Sequence, residues 1–328
     1  MNILTRIEGP AGLWKARRSW FLAAGGLVLL VGVGARVSWS QVRAALHGLA
    51  WPWLLLAGAL TAISMGCRAW RLSAVLGKGL SFPGTWRCVS LGYFASLFLP
   101  LGGGELVKAA ALRHRFGLPL TRVGTALAVD RMFDIALLLA LLGAVAGHGW
   151  TGRPGTVPLA LGIAGLLALA GFLAISGRAL RGRLRQWAAG KPRRRIWLDR
   201  FEEIHDQAAA LRNVSLLPRL GLLQAAIFFV DVLSAWCCLL AFPAGAGLPF
   251  AAPLRVALFV MLAFALPLLP GGLGSHQAAV ILALTPFGFG PAEALSVSLV
   301  GEVVHVATLT TLGTLALARP PREPAAPK

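Results

Sequence analysis

Nine apolar stretches follow one another along this chain, at 20–35, 51–67, 86–101, 121–147, 156–176, 218–242, 252–270, 274–287 and 292–318. Most reach the ~17 to 25 residues needed to cross the hydrocarbon of a bilayer as a helix. A soluble fold of 328 residues has no core large enough to hide them: 57% of residues are hydrophobic and 13% charged, against ~45–50% and ~25% in soluble domains. The chain is therefore expected to be an all-α, polytopic membrane protein. The same numbers exclude a disordered chain and a disulfide scaffold, since charge is low and only four cysteines occur, none in CxxC spacing.

A net charge of +19 would suggest nucleic acid in a soluble protein. Here the basic residues lie mostly between apolar stretches, as cytoplasmic loops facing anionic lipid require, so no nucleic-acid partner is expected. Arg6, Lys15, Arg17 and Arg18 precede the stretch at 20–35, which reads as a first membrane helix rather than a cleaved leader.

Two segments do not read as simple spans. Residues 104–116 are few and carry Glu105, Lys108, Arg113, His114 and Arg115, while 274–287 is short and follows Pro270, Gly271 and Gly272. Each is expected to be the return arm of a re-entrant hairpin, one at 86–116 and the other at 252–287. With the amino end inside and single crossings at the other runs, 25 basic residues fall on the cytoplasmic side and four outside, with Lys108 and Arg131 left in the membrane. The two hairpins then enter from opposite sides, which makes an inverted repeat. The whole is one membrane domain over 1–328 with about six to eight transmembrane helices. Its first part is 19–147, a basic cytoplasmic segment spans 177–217, and its second part is 218–318. The expected location is the cell's inner (plasma) membrane, with both termini cytoplasmic.

The repeat is supported by two similar passages, FLPLGGGELVKAAALRHRFGLPLTRV from Phe98 and LLPGGLGSHQAAVILALTPFGFGPAEA from Leu268. They align Pro100 with Pro270 and, after a one-residue slip, Arg131 with Glu302 and Asp134 with His305.

Candidate chemistry sits where charge is costly. Asp130, Arg131 and Asp134 lie roughly 12–18 Å from the inner end of their run at 1.5 Å per residue. On the insertion scale three charges there cost roughly 9 kcal/mol against about 6 returned by the apolar residues, so this helix needs polar company. Asp130 and Asp134 share a face and require a cation or a proton, with Arg131, Lys108 or water as the available partners. Glu302 and His305 stand one turn apart in the last run, and Asp231 is a lesser counterpart. Such groups line a polar substrate path, or pair only to hold helices together. Gly103 and Gly104 before Glu105 and Lys108, and Gly272 and Gly274 before His276, either form tight turns or aim freed amides at an anion. Arg68 and Arg71, flanking Trp70, either gather lipid phosphates or anchor their helix. No catalytic, metal-binding or cofactor motif is present, and no enzyme activity is expected.

Taken together, Gly92-Tyr93-Phe94, Leu99-Pro100, Gly103-Gly104-Glu105 with Lys108, and Asp130-Arg131 resemble the lysylphosphatidylglycerol synthase transmembrane-region, or flippase-like, family. Arg68, Trp70 and Arg71 resemble its RxWR element, and Leu269, Pro270, Gly272 and Gly274 its second proline-glycine signature. The chain departs from the family at His276 and Gln277, where a basic residue and then Glu are usual. The resemblance implies an integral membrane protein that moves aminoacylated or isoprenoid-linked lipids between leaflets. Because the chain ends at Lys328, directly after its last apolar run, no aminoacyltransferase half is expected. The resulting expectation is a flippase-like lipid transporter. Its lipid headgroup would enter a groove lined by Glu105, Lys108, Asp130, Arg131, Asp134, Glu302 and His305, and its partners would be an anionic, aminoacylated or isoprenoid-linked lipid. A small-solute or ion transporter, a membrane enzyme acting on a lipid-linked phosphate, and an accessory membrane subunit are the rivals.

Overall fold

The computed structural model describes residues 40, 46, 48–77, 79–99, 102–149, 216–265 and 274–318. The expected spans at 20–35 and 156–176, nearly all of the basic segment 177–217, both termini, Pro100, Pro270, Gly271 and Gly272 lie outside the described residues.

Among the described residues all regular structure is helical. Four helices are long: α1 (Trp51–Leu76), α4 (Leu120–Gly149), α5 (Leu216–Leu240) and α8 (Pro291–Ala318). Four are short: α2 (Phe82–Ser96), α3 (Gly103–Phe116), α6 (Ala251–Ala265) and α7 (Ser275–Leu284). At 1.5 Å per residue the long ones reach about 38–45 Å, enough for a hydrocarbon core of ~30 Å, whereas the short ones extend only about 15–23 Å. Trp51–Leu76, Pro218–Leu240 and Pro291–Ala318 qualify as membrane spans by length and apolarity. Leu55, Leu222, Val303 and Leu317 project from these helices mostly uncovered. That costs nothing when the surroundings are lipid.

Local chemistry sets the helix ends. Gly77 closes α1, its N–H donating to the Ser73 carbonyl at 3.1 Å, and Arg122 Nη2 donates to the Leu76 carbonyl at 2.6 Å, so two C-terminal acceptors of α1 are met. α3 carries Glu105 in its first turn and Arg113, His114 and Arg115 in its last, matching its dipole at both ends. α8 opens on Pro291, and Glu293 reaches back to accept the Gly290 N–H at 3.2 Å.

By contact the chain forms two compact units. One comprises Met1–Ala62, Gly92–Val107 and Asp231–Thr314, the other Ile63–Leu91, Lys108–Val230 and Leu315–Lys328. In the first unit Leu54, Leu239, Phe242, Val256, Val280, Leu284 and Phe289 form the main core, and α6 packs along α7. Thr61 and Ser234 meet at 3.2 Å, and both donate to the Ala57 carbonyl, at 2.9 and 3.0 Å. Such hydroxyls hold membrane helices together where apolar contact alone discriminates little from lipid. In the second unit Val129, Phe133 and Leu220 form a smaller core beside Ala74 and Val75.

α2 and α3 run antiparallel in both units: Gly104 lies against Gly92 and Ser96 in the first, and Gly84 against Arg115 and Phe116 in the second. The expected arm at 86–101 thus begins earlier, at Phe82, because Pro83 suits a first helical turn, and it ends at Ser96 in a turn through Leu99. The expected return arm at 104–116 matches α3 to within one residue.

Candidate functional site

The second unit contains a buried ion cluster built from α1 and α4. α1 continues nine residues past Cys67, where the apolar run ends, and so carries Arg68 and Arg71 on one helical face. α4 presents Asp130 and Asp134 one turn apart. Arg71 is fully buried. Its Nε donates to Asp130 Oδ1 at 2.7 Å, and its Nη1 and Nη2 both donate to Asp134 Oδ1 at 3.0 Å. Arg131 Nη1 stands 3.4 Å from the other Asp134 oxygen, with its own side chain 49% exposed. Arg68 is close enough to act electrostatically on both Arg71 and Asp134. Arg71 thus contacts both carboxylates, and Arg131 stands beside one of them.

The expected cation between the aspartates is thus corrected in part. Arg131 takes a weak share, but the principal partner is Arg71, a residue the charge count places on the cytoplasmic side. The apolar run could not show this, because the helix goes on through polar residues once a partner waits for them. Arg71 is buried and paired with both aspartates, as the anchoring use requires. On α3, Lys108 is also buried, and Glu105 one turn before it is half-buried.

A second cluster belongs to the first unit. Gly274 is the N-cap of α7, and its N–H donates to Gln277 Oε1 at 2.6 Å. The Gln277 amide, almost wholly buried, uses its other end to donate to Glu302 Oε2 on α8. His276 Nδ1 meets Ser298 Oγ at 2.9 Å. Consecutive residues on α7 thus engage Ser298 and Glu302, which lie four apart on α8. The Phe264 ring lies 6.0 Å from the His276 ring and 6.1 Å from the His305 ring. Of the expected site residues, Arg68, Arg71, Asp130, Arg131 and Asp134 come together in the second unit and Gly274, His276, Glu302 and His305 in the first, while Gly103, Gly104, Glu105 and Lys108 lie on α3.

Gly102 and Gly104 have backbone reasons for being glycine. Gly102 sits at φ +80°, a region costly for other residues, and a Cβ on Gly104 would collide with the Gly92 carbonyl. Between the turn and anion readings of this cluster, close approach of α2 and α3 accounts for Gly104.

Sequence reasoning gave no role to Gln277 or Ser298. The signal in the sequence was the departure from the family pattern at His276 and Gln277. It also missed Ser90 and Gln224, buried polar residues whose Oγ and Oε1 have no hydrogen-bond partner among the described residues.

The family model described as the lysylphosphatidylglycerol synthase TM region matches residues 20–313, most of the chain. The chain belongs to this family. It is accordingly an integral, multi-pass membrane protein. A UPF0104 membrane protein of Methanothermobacter thermautotrophicus is 25% identical over 324 residues, covering 90% of this chain and 91% of that protein. Glycosyltransferase AglD of Haloferax volcanii is 29% identical over 252 residues, covering 64% of this chain and 39% of that protein. The chain thus spans about two-fifths of AglD but nearly all of the UPF0104 protein. In this member of the lysylphosphatidylglycerol synthase transmembrane-region family, Arg71 of the Arg68-Trp70-Arg71 element and Asp130 of the Asp130-Arg131 pair are buried against each other.

Proposed function

We propose that this protein moves a lipid or lipid-linked headgroup between leaflets, leaving the lipid chemically unchanged. The observation that supports this reading is the Arg68–Arg71–Asp130–Arg131–Asp134 cluster, with Asp130 about 15 Å along α4 from Leu120. Charges at that depth in a membrane protein are costly and mark substrate paths more often than not. Arg71 holds the aspartates, and the half-exposed Arg131 offers a planar, multidentate donor suited to a headgroup phosphate. The paired short helices, α2 with α3 and α6 with α7, act as hairpins that enter the membrane from opposite sides. Transport proceeds by rocking of the two inverted repeats. The protein lies in the inner membrane with both termini cytoplasmic, as the excess of basic residues on one side favours. The similarity to a glycosyltransferase makes a sugar-bearing lipid one candidate cargo, beside aminoacylated and anionic phospholipids.

The test is reconstitution in liposomes with a panel of tail-labelled fluorescent lipids, reading the fraction that a membrane-impermeant quencher can reach over time. Wild-type protein speeds the exchange of at least one lipid over empty vesicles, and Arg131→Ala lowers that rate at least tenfold with unchanged incorporation. Equal rates for protein-containing and empty vesicles across the panel sink the proposal.

A further inference from the structure

The cluster in the first unit is not a copy of the one in the second. Glu302 receives a hydrogen bond on Oε2 from the Gln277 amide, and among the described residues the structure gives it no basic partner. In sequence, residues 266–274 include no Lys, Arg or His. Gln277 is engaged at both ends, its carbonyl accepting from the Gly274 N–H and its amide donating to Glu302. The amide therefore fixes the carboxylate in orientation and leaves Oε1 as an acceptor. Beside it stand His276, whose Nδ1 is taken by Ser298, His305, and Phe264, whose side chain remains 43% exposed between the two imidazoles.

This set offers a carboxylate acceptor, imidazoles able to accept or donate, and an open aromatic face. An ammonium group presents donors alone and so meets only the acceptors of this set. A hydroxyl-rich ring presents donors and acceptors together, and its C–H face can lie on an aromatic ring. We propose that Glu302, His276, His305 and Phe264 form a binding site for a polyhydroxylated headgroup, with Gln277 as the positioning residue that orients Glu302. This assignment of a substrate class rests on the lipid-translocation reading above, but it makes a separate claim about binding.

Deacylated headgroups separate the two. The full-length protein, purified in detergent, is titrated with glycerophosphoinositol, glycerophosphoethanolamine and glycerol 3-phosphate, following thermal unfolding. The first should bind most tightly. Glu302→Gln and Phe264→Ala should each weaken it about tenfold, as loss of a hydrogen bond to a charged group or of an aromatic face implies, and leave glycerol 3-phosphate binding unaltered. Gln277→Leu should have the same selective effect, while Gln277→Asn, too short to reach both partners, should not restore it. Preference for glycerophosphoethanolamine, or undiminished glycerophosphoinositol binding in both Glu302→Gln and Phe264→Ala, overturns the proposal. Selective headgroup binding in a protein that moves no lipid would uphold this site and overturn the translocation reading alone.

Discussion

The two units bury polar groups by opposite means. In the second, Arg71 meets two aspartates through three of its nitrogens, so charge is met by charge at 2.7–3.0 Å. In the first, Glu302 is met by a neutral amide, and its neighbours are imidazoles and an exposed ring. The Arg71 arrangement is closed around its cation. The Glu302 arrangement keeps acceptors available. The difference separates a framework that tolerates charge in the membrane from a surface that can read a ligand.

Breaking the framework should have the largest effect. Arg71→Ala leaves two carboxylates buried without their main cation, a loss of about 3–5 kcal/mol, and should abolish recovery of monodisperse protein in detergent. Neutralising the whole group, with Arg71→Met, Asp130→Asn and Asp134→Asn together, should recover most of the folded yield seen by size-exclusion chromatography. If the triple variant is no better than Arg71→Ala, the cluster does more than balance charge.

In the other unit, Gln277→Leu removes the donor to Glu302 and the acceptor for Gly274, and should cost about 2 kcal/mol in thermal unfolding. A loss as large as that of Arg71→Ala would erase the contrast between the clusters. Gly104→Ala should cost about 1–3 kcal/mol by forcing α2 from α3. Thr61→Val, which removes one hydroxyl from the α1–α5 contact, should cost about 1 kcal/mol and leave the behaviour of both clusters unaltered.

Much of the architecture was legible in the sequence because membrane helices declare themselves by length and apolarity. The start of α1 at Trp51, α3 against 104–116 and α8 against 292–318 agree within a residue. What hydropathy could not show was the continuation of α1 through Arg68 and Arg71, since a helix with a partner for its charges looks, in sequence, like a loop. The site was legible as a set of residue types. Asp130 and Asp134 announced a need for a cation by their spacing, but the cation came from 59 residues away in sequence, beyond the reach of local pattern. Gln277 stayed hidden for a different reason. A single amide at a helix start has no periodicity, and its meaning appears only when Glu302 is placed opposite.

On this reading, charges within the membrane face a watery path rather than lipid. With the four native cysteines replaced, single cysteines at Arg131 on α4 and Phe229 on α5, both exposed side chains, can be challenged with a charged, membrane-impermeant thiosulfonate. Arg131→Cys should react at a rate approaching that of a loop cysteine, while Phe229→Cys, facing hydrocarbon, should stay unmodified. Protection of both positions would contradict the account, because Arg131 would then lie against lipid and no headgroup could reach it.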